Sequence, residues 1–174
     1  MSDLHRAAWA GVKENSKFIC VQTYSGYRSV RADPDGAQFI LSPDVSGEEL
    51  GAAVIAALSV SRFVLAEPRE GVWVHPDASF DKNLYDRSLI EQRYEAWVAS
   101  LMERYSYKSR RALFKGMKSC NIESKLGFLE ISPSVREKIE GWRGMPAEEC
   151  VVLPSDSLNV VVGAGVRLAL SRCR

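Results

Sequence analysis

The sequence predicts a mixed α+β fold in which a strand-meander-plus-helix unit occurs twice, giving two antiparallel sheets linked by an amphipathic helix. Three observations predict it. Short β-rich runs punctuated by Gly, Pro and Ser occur in both halves of the chain. Residues 51–62 (GAAVIAALSVSR) return 112 positions later as residues 163–174 (GAGVRLALSRCR), with 7 of 12 positions identical. Between the copies lies the clearest helical periodicity of the chain.

The first unit opens with two β-rich runs, residues 17–24 and 27–32, separated by Ser25-Gly26 as a tight turn. Residues 33–36 (DPDG) turn the chain again, and residues 37–41 form a third strand. Ser46 with Glu49 makes a capping box for a helix through Ser59, whose Leu50, Val54, Ala57 and Leu58 share one face. Phe39-Ile40-Leu41 lies at the same offset from Val151-Val152-Leu153, so each copy reads as strand, Pro/Ser turn and helix. Chance likeness between two Ala-rich helices is the competing explanation, because Ala, Leu and Val recur freely in helices.

In the connector, residues 63–65 and 71–75 read as strands within a Pro-punctuated loop. Ser88 is expected to cap the second helix, with Leu89, Ile90, Tyr94, Trp97, Val98, Leu101 and Tyr105 as its apolar stripe. Strands are then expected over 112–117, 118–123 and 127–131, a short helix over 134–142, a strand over 150–153 and a last helix over 158–171. This makes residues 1–174 one domain, with repeat halves at about 13–62 and 107–174 and a connector at about 63–106.

Composition narrows the function. A chain of 174 residues with 46% hydrophobic and 26% charged content buries its own core without staples. No run approaches the roughly 18 apolar residues of a membrane span, and the first ten residues lack a secretory pattern, so a cytoplasmic location and no membrane partner are expected. Cys20, Cys120, Cys150 and Cys173 show no C-x-x-C pairing, and His5 and His75 cannot complete a zinc set, so the thiols are expected reduced and packed. Net charge is +1, yet residues 33–103 carry 13 acids against 5 bases and residues 104–174 carry 13 bases against 7 acids.

No catalytic constellation emerges. The chain has no G-x-S-x-G elbow, Walker loop, G-x-G-x-x-G or H-E-x-x-H, and no metal or cofactor is expected. Gly163-Ala-Gly165 falls inside a helix, where small residues permit close packing against a sheet. His75 reads as structural, and His5 lies in a leader, residues 1–8, expected to fray.

Two charged segments are candidates for binding. Glu67, Glu70, Asp77, Asp81 and Asp86, with Trp73, Phe80 and Tyr85, form an acidic aromatic loop suited to docking a basic protein, or else an ordinary solvated loop. Arg104, Lys108, Arg110, Arg111, Lys115 and Lys118, interleaved with Tyr105, Tyr107 and Phe114, would on a strand form a stripe for single-stranded nucleic acid, the less favoured partner. A solvated basic surface is the plainer alternative.

Residues 13–30 (KENSKFICVQTYSGYRSV), 36–50 (GAQFILSPDVSGEEL) and 94–123 (YEAWVASLMERYSYKSRRALFKGMKSCNIE) resemble the immunity proteins of contact-dependent growth inhibition, the CdiI family. The resemblance runs from Trp9 onward. It implies a non-catalytic cytoplasmic protein that binds and blocks the C-terminal toxin domain, often a nuclease, of a cognate CdiA surface protein. It transfers no catalytic residues and leaves the contact positions open. The duplicated unit is also similar in architecture to the Whirly fold of single-stranded nucleic-acid binders, a likeness that carries little about function.

Overall fold

The computed structural model describes residues 4–174. In chain order they form β1 (Ala7–Glu14), β2 (Ile19–Gly26), β3 (Val30–Ala32), β4 (Gln38–Leu41), α1 (Gly47–Ser59), β5 (Val64–Leu65), β6 (Ser79–Phe80), α2 (Lys82–Tyr85), α3 (Arg87–Arg104) and α4 (Arg110–Phe114). There follow β7 (Lys118–Lys125), β8 (Phe128–Lys138), β9 (Gly141–Gly144), β10 (Val151–Pro154) and α5 (Asn159–Arg172). The fold class is mixed α+β, as expected.

One large antiparallel sheet replaces the two expected sheets. Its strands run β10-β8-β7-β1-β2-β3, with β4 also on β2 and β9 also on β8. The two halves fuse because β1 pairs along its whole length with β7, placing Trp9 opposite Glu123 and Val12 opposite Cys120. Separate sheets would have left both strands with an open edge.

Strand β1 itself is the largest departure from the sequence reading, which left residues 1–8 as a frayed leader and began the strands at 17. Its sequence, AAWAGVKE, has weak β-propensity, and partners on both sides override that. Gly11 is needed there because the Tyr24 ring crosses it: a β-carbon would lie 2.5 Å from Cζ. The β2–β3 hairpin is present, but Gly26 pairs with Val30, so Ser25-Gly26 ends β2 and residues 27–29 make the turn.

Helices α1 and α5 cover one sheet face. Alternation along β1 and β2 turns Ala10, Val12, Ile19 and Val21 toward them, where they meet Leu50, Val54, Val162 and Val166 in a fully buried core. Each such large side chain contributes roughly 1.5–3 kcal/mol by burial. Ser46 caps α1 as expected, its hydroxyl accepting from the Glu49 N–H at 3.1 Å. Of the small residues in α5, Gly165 faces the sheet, where a β-carbon would come within 2.8 Å of Leu153 Cδ1, whereas Gly163 faces α1.

The second face carries α3 and α4, whose Val98, Leu101, Leu113 and Phe114 cluster with Phe18, Cys20 and Met117. Asp86, not Ser88, caps α3, accepting from the Leu89 N–H at 2.9 Å. Of the expected α3 stripe only Val98 and Leu101 are fully buried. The strand expected over 112–117 is α4, begun by Ser109, whose hydroxyl accepts from Ala112 N–H at 3.1 Å. The helix expected over 134–142 is the end of β8 and the start of β9, paired Ser134 to Gly144 and Val135 to Arg143. Residues 71–75 form no strand; β5 instead pairs in parallel with β6.

Candidate functional site

The acidic aromatic segment is organised around Arg62, at the end of the turn after α1. Its guanidinium holds Asp33 through Nε at 2.7 Å and Nη2 at 2.8 Å, and reaches Asp81 through Nη1 at 2.8 Å. The Asp33 side chain is fully buried and also accepts from the Ser25 hydroxyl at 2.6 Å. Burial works against its charge, but the bonds from Arg62 and Ser25 outweigh that and hold its carboxyl below the usual value.

This scaffold divides the eight expected contact residues. Asp81 is bound to Arg62 and caps α2, Tyr85 donates to the Val64 carbonyl at 2.5 Å under the Arg31 guanidinium, and Asp86 caps α3. These three are structural, which their sequence setting did not show. Glu67 pairs with Lys82 at 3.0 Å on the surface. Glu70, Trp73, Asp77 and Phe80 face solvent; the adjacent Val72 and Trp73 give an exposed apolar patch with Glu70 and Asp77 on either side in sequence, and Trp73 is 55% exposed and Phe80 45%.

His75 anchors the patch from below. Its N–H donates to the Tyr27 hydroxyl at 2.9 Å, its Nδ1 accepts from the Asp77 N–H at 3.1 Å, and its ring meets the Phe63 and Trp73 edges. These contacts make His75 a packing histidine.

The basic stripe does not lie on a strand. Arg104 ends α3, Lys108 lies in the following loop, Arg110 and Arg111 are on α4, Lys115 follows it, and only Lys118, the first residue of β7, is on a strand. Arg110 is paired within the chain, bonding Glu140 at 2.6 Å and Glu95 at 2.5 Å. Glu140 also accepts from the Tyr94 hydroxyl at 2.7 Å. Arg111 and Lys115 instead line an open depression of about 880 Å³ with Arg136 and Lys138. The latter pair went unnoticed in sequence because they were assigned to a helix.

A deeper cleft of about 650 Å³ lies between α3 and the second sheet face, lined by Lys13, Tyr24, Pro34, Ile90, Tyr94 and Trp97 among others. Lys13 donates to the Tyr24 hydroxyl at 2.9 Å and sits near the Tyr24 and Trp142 rings. Among the described residues no carboxylate lies within ion-pair distance of it. A lysine in a largely apolar cleft without a counter-ion is an unbalanced charge, of the kind that a partner's acid offsets. Only the strand-to-helix juxtaposition reveals it; no local sequence signal does.

Among the described residues no helix is long and apolar enough to cross a membrane. The surface thus presents an exposed apolar-acidic segment, a largely apolar cleft holding Lys13 and a basic depression. The family model for CdiI, CDI immunity protein, matches residues 8–173. The immunity protein CdiI-YPIII of Yersinia pseudotuberculosis serotype O:3 (strain YPIII) is 51% identical over 176 residues, spanning 100% of this chain and 99% of that protein. A chain from the CdiA-CT/CdiI toxin and immunity complex of Yersinia pseudotuberculosis superposes with a TM-score of 0.96 at 51% identity, covering 99% of this chain and 100% of that one. A Neisseria meningitidis protein of unknown function, NMB0488, superposes with a TM-score of 0.83 at 39% identity, covering 100% and 99%. With a family match over nearly all its length and two full-length structural relatives, this chain belongs to the CDI immunity proteins.

Proposed function

We propose that this chain binds and neutralises the C-terminal toxin domain of a cognate CdiA protein, acting in the cytoplasm of the cell that makes it. The observation that carries the reading is the 51% identity over full length to a relative named as an immunity protein, together with the match to a chain from a toxin and immunity complex. In this reading the toxin is a nuclease, the bound chain covers its active site, and the immunity protein turns over no substrate.

Two surfaces serve the contact. The Trp73 and Phe80 patch supplies apolar anchors beside Glu70 and Asp77, which favour a basic toxin surface. The cleft under α3 offers a pocket in which Lys13 meets a carboxylate of the toxin. Titrating the protein with the toxin domain encoded beside it, in a calorimeter, gives a one-to-one complex; absence of heat and of protection in a toxin assay overturns the reading.

The sheet halves also read as copies of one unit. In the first, β2 carries β3 on its C-terminal end and β4 on its N-terminal end; in the second, β8 carries β9 and β10 in the same way. This supports a duplicated, Whirly-like architecture within one domain. A second functional reading, single-stranded nucleic-acid binding, draws on the depression lined by Arg111, Lys115, Arg136 and Lys138, whose one acid, Glu137, is held by Arg143 at 2.6 Å. An oligonucleotide titration at low salt that shows no binding removes it.

A further inference from the structure

We infer that Cys120 and Cys173 form a paired-thiol modification site that hydrogen peroxide converts to an internal disulfide. Cys120 lies in β7, fully buried, and Cys173 follows the last turn of α5, partly exposed; their sulfurs are 3.6 Å apart. Closing to a bond of about 2.05 Å needs only a small shift of either side chain.

The backbone holds the pair in register. Arg174 N–H donates to the Ser134 carbonyl at 3.1 Å, and Arg136 N–H donates to the Arg174 carbonyl at 2.7 Å, so the segment after α5 is bonded to β8. The Cys173 N–H donates back to Leu170, and its sulfur lies 3.4 Å from the Ser119 carbonyl oxygen. Cys173 therefore stays beside Cys120.

The two sulfurs differ in character. A hydrogen bond from Cys120 lowers the Cys173 thiol to about 6 in spite of its burial, with help from neighbouring backbone groups and Lys118. Cys120, the more buried of the two, is pushed up by its hydrogen bond to Cys173 and by burial. Cys173 is thus the nucleophile and Cys120 the resolving thiol. Cys20 is buried and pushed up to about 11, and Cys150 has only Ser132 and a backbone carbonyl near its sulfur.

In the first step the Cys173 thiolate attacks one peroxide oxygen, the O–O bond breaks, and hydroxide leaves to take up a proton as water, giving a sulfenic acid. In the second the Cys120 sulfur displaces the sulfenic hydroxyl, the S–S bond forms, and the Cys120 proton leaves with that hydroxyl as a second water. The two sulfurs together give up two electrons, and one peroxide takes them. The product ties the end of α5 to β7 across a separation of 53 residues.

The test treats the full chain, folded, with hydrogen peroxide, then blocks remaining thiols and maps peptides by mass. The expected result is a Cys120–Cys173 cross-linked peptide and a rise in Tm of about 5 °C or more, reversed by dithiothreitol. Cys173→Ser abolishes both, while Cys150→Ser leaves both intact. Because Cys120→Ser could unfold the protein, the second arm measures iodoacetamide alkylation of the untreated chain, expected fastest at Cys173 with a midpoint near pH 6. Oxidation of Cys173 to sulfinic acid without a cross-link, or faster alkylation of Cys150 at neutral pH, overturns the inference.

Discussion

Gly51 of α1 lies against the backbone of Asn159 at the start of α5, so that a β-carbon on it would sit 1.8 Å from the Asn159 carbonyl oxygen. The reciprocal contact is present too: a β-carbon on Gly163 would sit 1.9 Å from the carbonyl oxygen of Gly47. Each residue of the first contact lies 112 positions from its counterpart in the second, the offset of the sequence repeat. The two helices thus cross at equivalent points. Gly51→Ala or Gly163→Ala forces backbone against backbone, and each is expected to cost about 2–4 kcal/mol in urea unfolding. A loss under half a kcal/mol would show that the helices separate freely.

The Arg62 hub makes stability depend on acid. Asp33 has its folded value lowered relative to an unfolded value of about 4, so its contribution is complete above about pH 4 and is lost as pH falls through the lowered folded value. Arg62→Met leaves a fully buried carboxylate without its cation. The variant is expected to lose about 3 kcal/mol at pH 7 and to unfold at a higher pH than the parent in an acid titration followed by circular dichroism. Equal acid midpoints would mean the pair is not coupled to folding.

The exposed patch separates binding from folding. Trp73→Ala combined with Phe80→Ala removes side chains that are about half exposed, so Tm should hardly move, whereas toxin association should weaken about tenfold or more. Unchanged affinity by calorimetry would take this patch out of the interface.

Lys13 is tested by charge. Lys13→Met keeps the aliphatic stem against Tyr24 and Trp142 but removes the cation, and toxin affinity is expected to fall about tenfold with most of its salt dependence lost. Affinity and salt slope equal to the parent's, in a variant that still melts cooperatively, would assign the cleft no acidic contact.

Helices α1 and α5 and strands β2, β4, β7 and β10 were legible because turn residues and periodicity agreed there, with the Ser46 cap added for α1. Strand β1 was not: Ala, Gly and Lys carry no strand signal, and only pairing with β2 and β7 makes AAWAGVKE extended. Residues 134–142 carry enough Glu, Lys and Arg to read as helical, and the β8–β9 ladder overrides that preference. In α4 a signal was present and overlooked, since Ser109 precedes the helix as a cap. The same division holds for the binding surfaces. Trp73 and Phe80 fall in the Pro-punctuated connector that the sequence marks as the acidic aromatic segment, whereas the structural duties of Asp81, Tyr85 and Asp86 and the setting of Lys13 exist only once distant segments meet.

The β1–β7 seam joins strands more than a hundred residues apart, so the sheet cannot mature from neighbouring segments alone. Folding should be slow for a chain of this length, since distant ends must meet before their pairing rewards the lost freedom. Either half by itself would present a bare strand edge, a template for its missing counterpart. Fragments cut between α4 and β7 should therefore recombine when mixed, and each alone should self-associate.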